Sequence, residues 1–235
     1  MKTARPALFA LSTFAALCFL PAHAAEAPKQ PSGIDRIQTV VVLYGENRSF
    51  DNLYGGFPGA NGIANATAEN TMQRDRDGKV MANLPPVWEK AGKPDSQYPS
   101  AMPNGPFRLD AAPINLPLSA KTRDLTHRYY QNQMQINGGK NDMFVAYSDA
   151  GALTMGHYDG SSLPLWRLAR EYTLADNFFM GAFGGSYINH IWLVCACTPN
   201  FPAAPDSMRA KLDANGKLMY RADSPASAAE GGPKF

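Results

Sequence analysis

Two short clusters carry the residue types from which a hydrolytic centre can be built. The first is Glu46-Asn47-Arg48-Ser49-Phe50-Asp51-Asn52, directly after the apolar run Thr39-Val40-Val41-Val42-Leu43-Tyr44. A carboxylate and an amide oxygen at the end of a buried strand lie where open α/β sheets bind their ligands. Two hard oxygen donors there suit a divalent cation. The same pair equally suits a solvated turn that caps the next helix. The second cluster is Gly184-Gly185-Ser186. Its glycines permit a sharp turn and a close backbone approach, and Tyr187, Ile188, Ile191 and Val194 then mark one face of a helix. Ser186 is thereby expected at a helix N-terminus, where unpaired amides and the dipole favour a phosphate or a developing alkoxide. A serine hydroxyl becomes a nucleophile only with a base or a metal beside it. Lacking either, Ser186 is an N-cap.

Other chemistries are excluded by inspection. Position 188 is Ile, so the Ser186 segment is not a G-x-S-x-G elbow. No G-x-x-x-x-G-K-[ST] phosphate loop occurs, and His127, His157 and His190 form no H-E-x-x-H zinc site. These histidines read as hydrogen-bonded structural residues, with His157 and His190 of added interest because they lie in Gly-rich or serine-centred segments. Asn177 and Asn189 suit either a phosphate oxygen or a turn. Asp142, Asp149, Asp159 and Asp176 read mainly as turn chemistry.

The elements that must position these groups are set by local patterns. Thr39–Tyr44 is short, β-branched and unalternating, as for a strand buried on both faces. Ser49 caps a short helix through Leu53 and Tyr54, stopped by Gly55-Gly56. Residues 57–117 are rich in Gly, Pro and Asn and predict a long ordered loop. Thr122 or Ser119 starts a helix over Arg123–Gln135, closed by Asn137-Gly138-Gly139, and a second covers Asp142–Tyr147. Ser162 and Pro164 open a helix that buries Leu165, Leu168, Ala169 and Tyr172. Thr173–Phe179 returns as a strand, and Asp213-Ala214-Asn215-Gly216 is a hairpin turn. Strand, helix and strand in this order predict an α/β fold. The tail, Ser224–Phe235, is small, polar and rich in Gly and Pro.

Residues 1–24 read as a secretory signal peptide. Lys2 and Arg5 precede an uncharged apolar stretch over Ala7–Leu20, and Ala22-His23-Ala24 offers the cleavage pattern. The expected domain plan is this signal, a polar lead-in over 25–37, and one catalytic region over 38–235. The expected location is the periplasm or the exterior. The chain holds 22 Lys and Arg against 20 Asp and Glu, and loss of Lys2 and Arg5 makes it formally neutral. With no basic run, neither nucleic acid nor anionic lipid is an expected partner. Integral membrane association is not expected either, and oligomeric state is left open. Cys195 and Cys197 are two apart, a spacing that predicts free thiols or partners outside this chain.

Taken together, several segments resemble the bacterial phosphoesterase family that contains the secreted acid phosphatases and the phospholipases C. They are Glu46–Asp51, Asn137-Gly138-Gly139, Met155-Gly156-His157-Tyr158-Asp159, Leu174–Phe179 and Gly184-Gly185-Ser186-Tyr187-Ile188-Asn189-His190, in order from about Gln38 to about Pro205. Ser186 with Asn189-His190 resembles the acid phosphatase branch, whereas the phospholipases C carry a threonine followed by an Asn-Arg pair. The resemblance implies an α/β three-layer core like that of the alkaline phosphatase superfamily. It implies hydrolysis of phosphoric esters through a phosphoserine on Ser186, with a divalent metal ion held by Glu46, Asn47 and Ser186. Asn189, His190 and His157 are expected to face a small phosphoester substrate. The family's further ligands, an adjacent aspartate pair above all, have no counterpart here, because no Asp-Asp occurs. The expectation is therefore the N-terminal half of such a domain, with an incomplete core. A phospholipase C-like phosphodiesterase and a catalytically inactive secreted chain are the alternatives.

Overall fold

The computed structural model describes residues 32–90 and 92–235. The expected signal peptide and most of the lead-in lie outside the described residues. The chain divides into two compact units, Met1–Tyr44 and Gly45–Phe235. In the first, Gly33–Arg36 form one turn of 3-10 helix. Residues 39–44 then run outside any assigned helix or strand and are exposed, Val41 at 77% and Leu43 at 87%. The expected buried strand is thus corrected: apolar composition favours a strand, but a strand exists only through a ladder with a neighbour, and the strands and bridges among the described residues do not include residues 39–44.

The second unit holds most of its backbone without regular structure. Its helices are α1 (Phe50–Tyr54), α2 (Ala68–Thr71), α3 (Tyr129–Ile136), α4 (Pro164–Glu171) and α5 (Ser186–Cys195). Its strands are β1 (Asn83–Leu84), β2 (Trp88–Lys90), β3 (Lys93–Pro94), β4 (Met102–Pro103), β5 (Phe107–Arg108) and β6 (Gly156–His157). They pair as β1–β4 and β2–β3, both antiparallel, and as β5–β6, parallel, with Phe107 opposite Gly156 and Arg108 opposite His157. The content is mixed helix and sheet, compatible with α/β, and the sheets among the described residues are two-stranded.

Between these elements, side-chain amides satisfy the backbone that ladders would otherwise satisfy. Buried Gln73 donates to the Thr71 and Asn141 carbonyls, and its Oε1 accepts from the amides of Phe144 and Val145. Asn104 bridges Gln73 and Met81. Around them Leu84, Val87, Leu109, Val145, Leu153 and Tyr158 form the main apolar core. The expectation of one long loop over 57–117 is corrected in part, since α2 and the short strands β1–β5 fall within it, joined by irregular chain. The tail is fastened too: Arg76 donates to the carbonyls of Ala146, Pro225 and Gly231, while the Asp75 carboxylate accepts from Ser227 and Ala228.

Local signals locate α1 and the ends of α3 and α4. Ser49 Oγ accepts from the Asn52 amide at 3.2 Å, and Gly55 closes α1. Left-handed Asn137 (φ 47) ends α3, Pro164 opens α4, and Asp213–Gly216 turns the chain between bridged Leu212 and Leu218. Other expectations are corrected by tertiary contacts. The helix expected from Arg123 begins only at Tyr129, because Asp149 holds the Arg123 guanidinium at 2.8 Å and the Thr126 amide at 3.0 Å in extended chain. Asp142–Tyr147 is a turn, its amides taken by Gln73. The helix α4 buries Trp166, whose indole donates to the Leu53 carbonyl at 2.9 Å and packs on Tyr54 and Phe57. Leu165, Leu168 and Tyr172 are exposed instead.

The strand expected over Thr173–Phe179 is also absent. Asp176 turns back to accept from the Asn61 amide at 2.7 Å, leaving Phe178 and Phe179 exposed. Cys195 and Cys197 form a disulfide with their Cα atoms 5.2 Å apart, an ordinary span. Ala196 between them ends α5 in left-handed backbone (φ 49), and that turn brings together two thiols that the spacing alone keeps apart. Among the described residues no helix is long and apolar enough to cross a membrane.

Candidate active site at the start of helix α5

Ser186 is the first residue of α5, capped by Gly185. Its Oγ lies 2.8 Å from Nε2 of His127. The other ring nitrogen, Nδ1, lies 2.5 Å from the Leu125 carbonyl oxygen. A carbonyl only accepts, so Nδ1 carries the proton and Nε2 presents its lone pair to the serine hydroxyl. Asp124 Oδ1 stands 3.7 Å from the same Nδ1. A hydroxyl in hydrogen-bond reach of a ring nitrogen, with the ring oriented by a third group, is an arrangement that can activate a nucleophile.

The loop that delivers Ser186 is fitted to its neighbour. A Cβ on Gly185 would stand 2.5 Å from the His127 carbonyl oxygen, so only glycine allows the two segments to touch there. Buried Asn189 fastens the loop from inside α5: Nδ2 donates to the carbonyls of Ala182 and Gly185, each at 3.1 Å, and Oδ1 accepts from the Ala182 amide at 3.3 Å. The structure thus places Asn189 on the backbone of the serine loop. His190 lies one position further on, its Nδ1 shared between the Ser186 carbonyl at 2.9 Å and the Glu46 carboxylate at 3.3 Å. Glu46 is brought to the α5 end of the molecule in this way. Asn47 comes next in left-handed backbone (φ 64), a conformation asparagine tolerates better than most residues.

His157 is placed elsewhere, in β6 opposite Arg108. Its Nδ1 is buried with no hydrogen-bond partner. Burial, and next the Arg108 guanidinium, hold its pKa below the ordinary imidazole range, while Asp110 and Asp51 pull the other way. It does not line the cavity beside Ser186. That cavity, about 430 Å³, is lined by residues 127–129 and 183–188. His127, a structural residue by its sequence context, is instead the group that meets the serine. It sits 59 positions from Ser186, in a run whose pattern predicts helix, and no local spacing marks it.

A divalent ion would need several oxygen ligands with net negative charge. Among the described residues no three of His, Cys, Asp and Glu are grouped to hold a metal. Glu46, Asn47 and Ser186 supply one carboxylate, one neutral amide and one hydroxyl, with the carboxylate engaged by His190 and the hydroxyl by His127. This donor set does not by itself complete a metal site.

Phospholipase C A of Mycobacterium tuberculosis (strain CDC 1551 / Oshkosh) is 28% identical over 173 residues, covering 71% of this chain and 30% of the relative. Phospholipase C B of the same organism is 27% identical over 178 residues, covering 71% and 31%. The chain therefore spans under a third of the length of these curated relatives. No solved structure gives a significant match. The family model described as the Phosphoesterase family matches residues 37–234, a stretch that includes Glu46, His127 and Ser186, and the chain belongs to that family.

Proposed function

We propose that this chain provides the nucleophilic part of a phosphoester hydrolase of the acid phosphatase kind, acting on small phosphomonoesters. The observation that carries the reading is the 2.8 Å contact between Ser186 Oγ and His127 Nε2 at the first turn of α5. Ser186 Oγ attacks phosphorus in line, its proton passing to His127 Nε2. The P–O bond to the organic group breaks, and the departing oxygen takes a proton from solvent. Water then attacks the phosphoserine, losing its proton to solvent, the P–Oγ bond breaks, and the His127 imidazolium returns its proton to Oγ. Amides at the start of α5 face the charge on the equatorial oxygens. Correct protonation by a placed base is worth about 10²–10⁴ in rate.

A divalent ion on Glu46 and Asn47 remains part of the proposal, supported by the family and by the position of Glu46 near α5. Bound there it would act as a Lewis acid toward the phosphoryl group; the steps above use only the chain's own residues. An alkaline phosphatase-like three-layer core is proposed on the same family footing. Export is proposed on the pattern of residues 1–24.

The curated relatives supply a specific reason for a second reading, since both are named phospholipase C. Phosphate release from a phosphomonoester is compared with hydrolysis of phosphatidylcholine, in wild type and Ser186→Ala, with metal content measured on the same samples. Preference for the monoester, lost in Ser186→Ala by about 10⁴ or more, supports the proposal. Preference for the lipid overturns the monoester assignment, and near-normal turnover by Ser186→Ala overturns the nucleophile. A wild-type chain with neither activity and no bound metal supports the reading of this chain as catalytically inactive.

A further inference from the structure

We infer that the cavity beside Ser186 selects phosphoesters whose organic group carries a planar aromatic ring, nucleoside monophosphates being the natural probes. The inference rests on the phosphoester reading above and adds the substrate class. Two walls flank the serine. One is the extended segment His127-Arg128-Tyr129 and the other the loop Phe183-Gly184-Gly185 with the first turn of α5. A volume of about 430 Å³ accommodates a small organic ligand.

The lining of the cavity combines polar and aromatic groups. Ser186 and His127 meet at one point, and Arg128 adds a guanidinium suited to an anionic phosphate. The remaining large side chains are Tyr129, Phe183, Tyr187 and Ile188. Tyr129 meets Phe183 edge to face at 5.1 Å and 81°, and Tyr130 in the same manner at 4.9 Å and 80°. Each ring's orientation is therefore set by another ring before any ligand arrives, yet Tyr129 remains 44% and Phe183 39% exposed. A preset, half-exposed aromatic wall loses little freedom on binding and offers π-faces to a flat partner. Stacking of a base on such a wall is sequence-tolerant and strong enough to dominate selectivity among alkyl phosphates of equal chemistry. An aliphatic chain would gain burial here but no stacking.

The test uses ligands that share one phosphate linkage and differ in the ring. Binding of inorganic phosphate, ribose 5-phosphate and adenosine 5′-monophosphate to the Ser186→Ala chain is measured by calorimetry, so that turnover does not interfere. The nucleotide is expected to bind about tenfold more tightly than ribose 5-phosphate. In the same background Tyr129→Ala and, as a gentler change, Phe183→Leu should bring that ratio toward one, with folding checked by circular dichroism. Equal affinity for the nucleotide and the sugar phosphate, or a preference that survives both substitutions, overturns the aromatic assignment while leaving the phosphoester reading intact. If none of the three phosphates binds, the phosphoester reading fails, and this inference fails with it.

Discussion

Gly185→Ala tests the geometry of the serine loop directly. The added Cβ would meet the His127 carbonyl oxygen at 2.5 Å, whereas a relaxed C···O contact lies at about 3.3 Å. The two segments must therefore part by about 0.8 Å, a figure set by that contact distance. Ser186 is bonded to the residue that moves, and its hydroxyl now lies 2.8 Å from His127 Nε2. The same displacement opens that contact to about 3.6 Å, beyond hydrogen-bond range. Misplacement of about 1 Å costs roughly 10²-fold, so kcat for a phosphomonoester should fall by about two orders of magnitude. The fold should survive, because no residue of this loop belongs to the main apolar core. The assay pairs steady-state phosphate release with thermal unfolding. Wild-type kcat in a normally folded Gly185→Ala protein would refute the claim that Ser186 acts through His127.

Three further outcomes are expected. Asn189→Ala strips the Ala182 and Gly185 carbonyls and the Ala182 amide of their partner; it should cost about 1–3 kcal/mol in a urea titration and lower kcat, and an unchanged midpoint would contradict the positioning role. His157 is held below the ordinary imidazole value of 6.5 by burial first and by Arg108 next. Between that lowered native value and 6.5 the unfolded chain binds more protons, so this contribution to stability is complete above about pH 6.5 and declines as pH falls through the window. The urea midpoint of wild type should drop more than that of His157→Gln on acidification from about pH 7.5 to about pH 5.5, and parallel drops would disprove the assignment. Arg76→Ala removes the donors that hold the Ala146, Pro225 and Gly231 carbonyls; limited proteolysis should then cut within 221–235 faster than in wild type, with equal rates counting against the clasp.

Chemistry that acts within a few residues is legible from the sequence. Ser49 caps α1 because its hydroxyl reaches the Asn52 amide, Pro164 suits a first turn, and Asn137 ends a helix in left-handed backbone. The glycine pair before Ser186 likewise places that serine at a helix start. These outcomes rest on local sterics, which the chain carries in every conformation. Thr39–Tyr44 and Thr173–Phe179 read as strands but are not, because apolarity records only a preference to be covered, whereas a strand exists through its neighbour's backbone. The pairing of Cys195 with Cys197 is hidden for a related reason, since one left-handed residue, Ala196, sets their separation. Local sequence alone thus dictates a serine at the head of a helix, and a carboxylate and an amide after an apolar run. Tertiary structure decides what the serine faces: His127, 59 residues away, reaches it because Asp149 keeps 123–126 extended and Gly185 has no side chain to hold the segments apart.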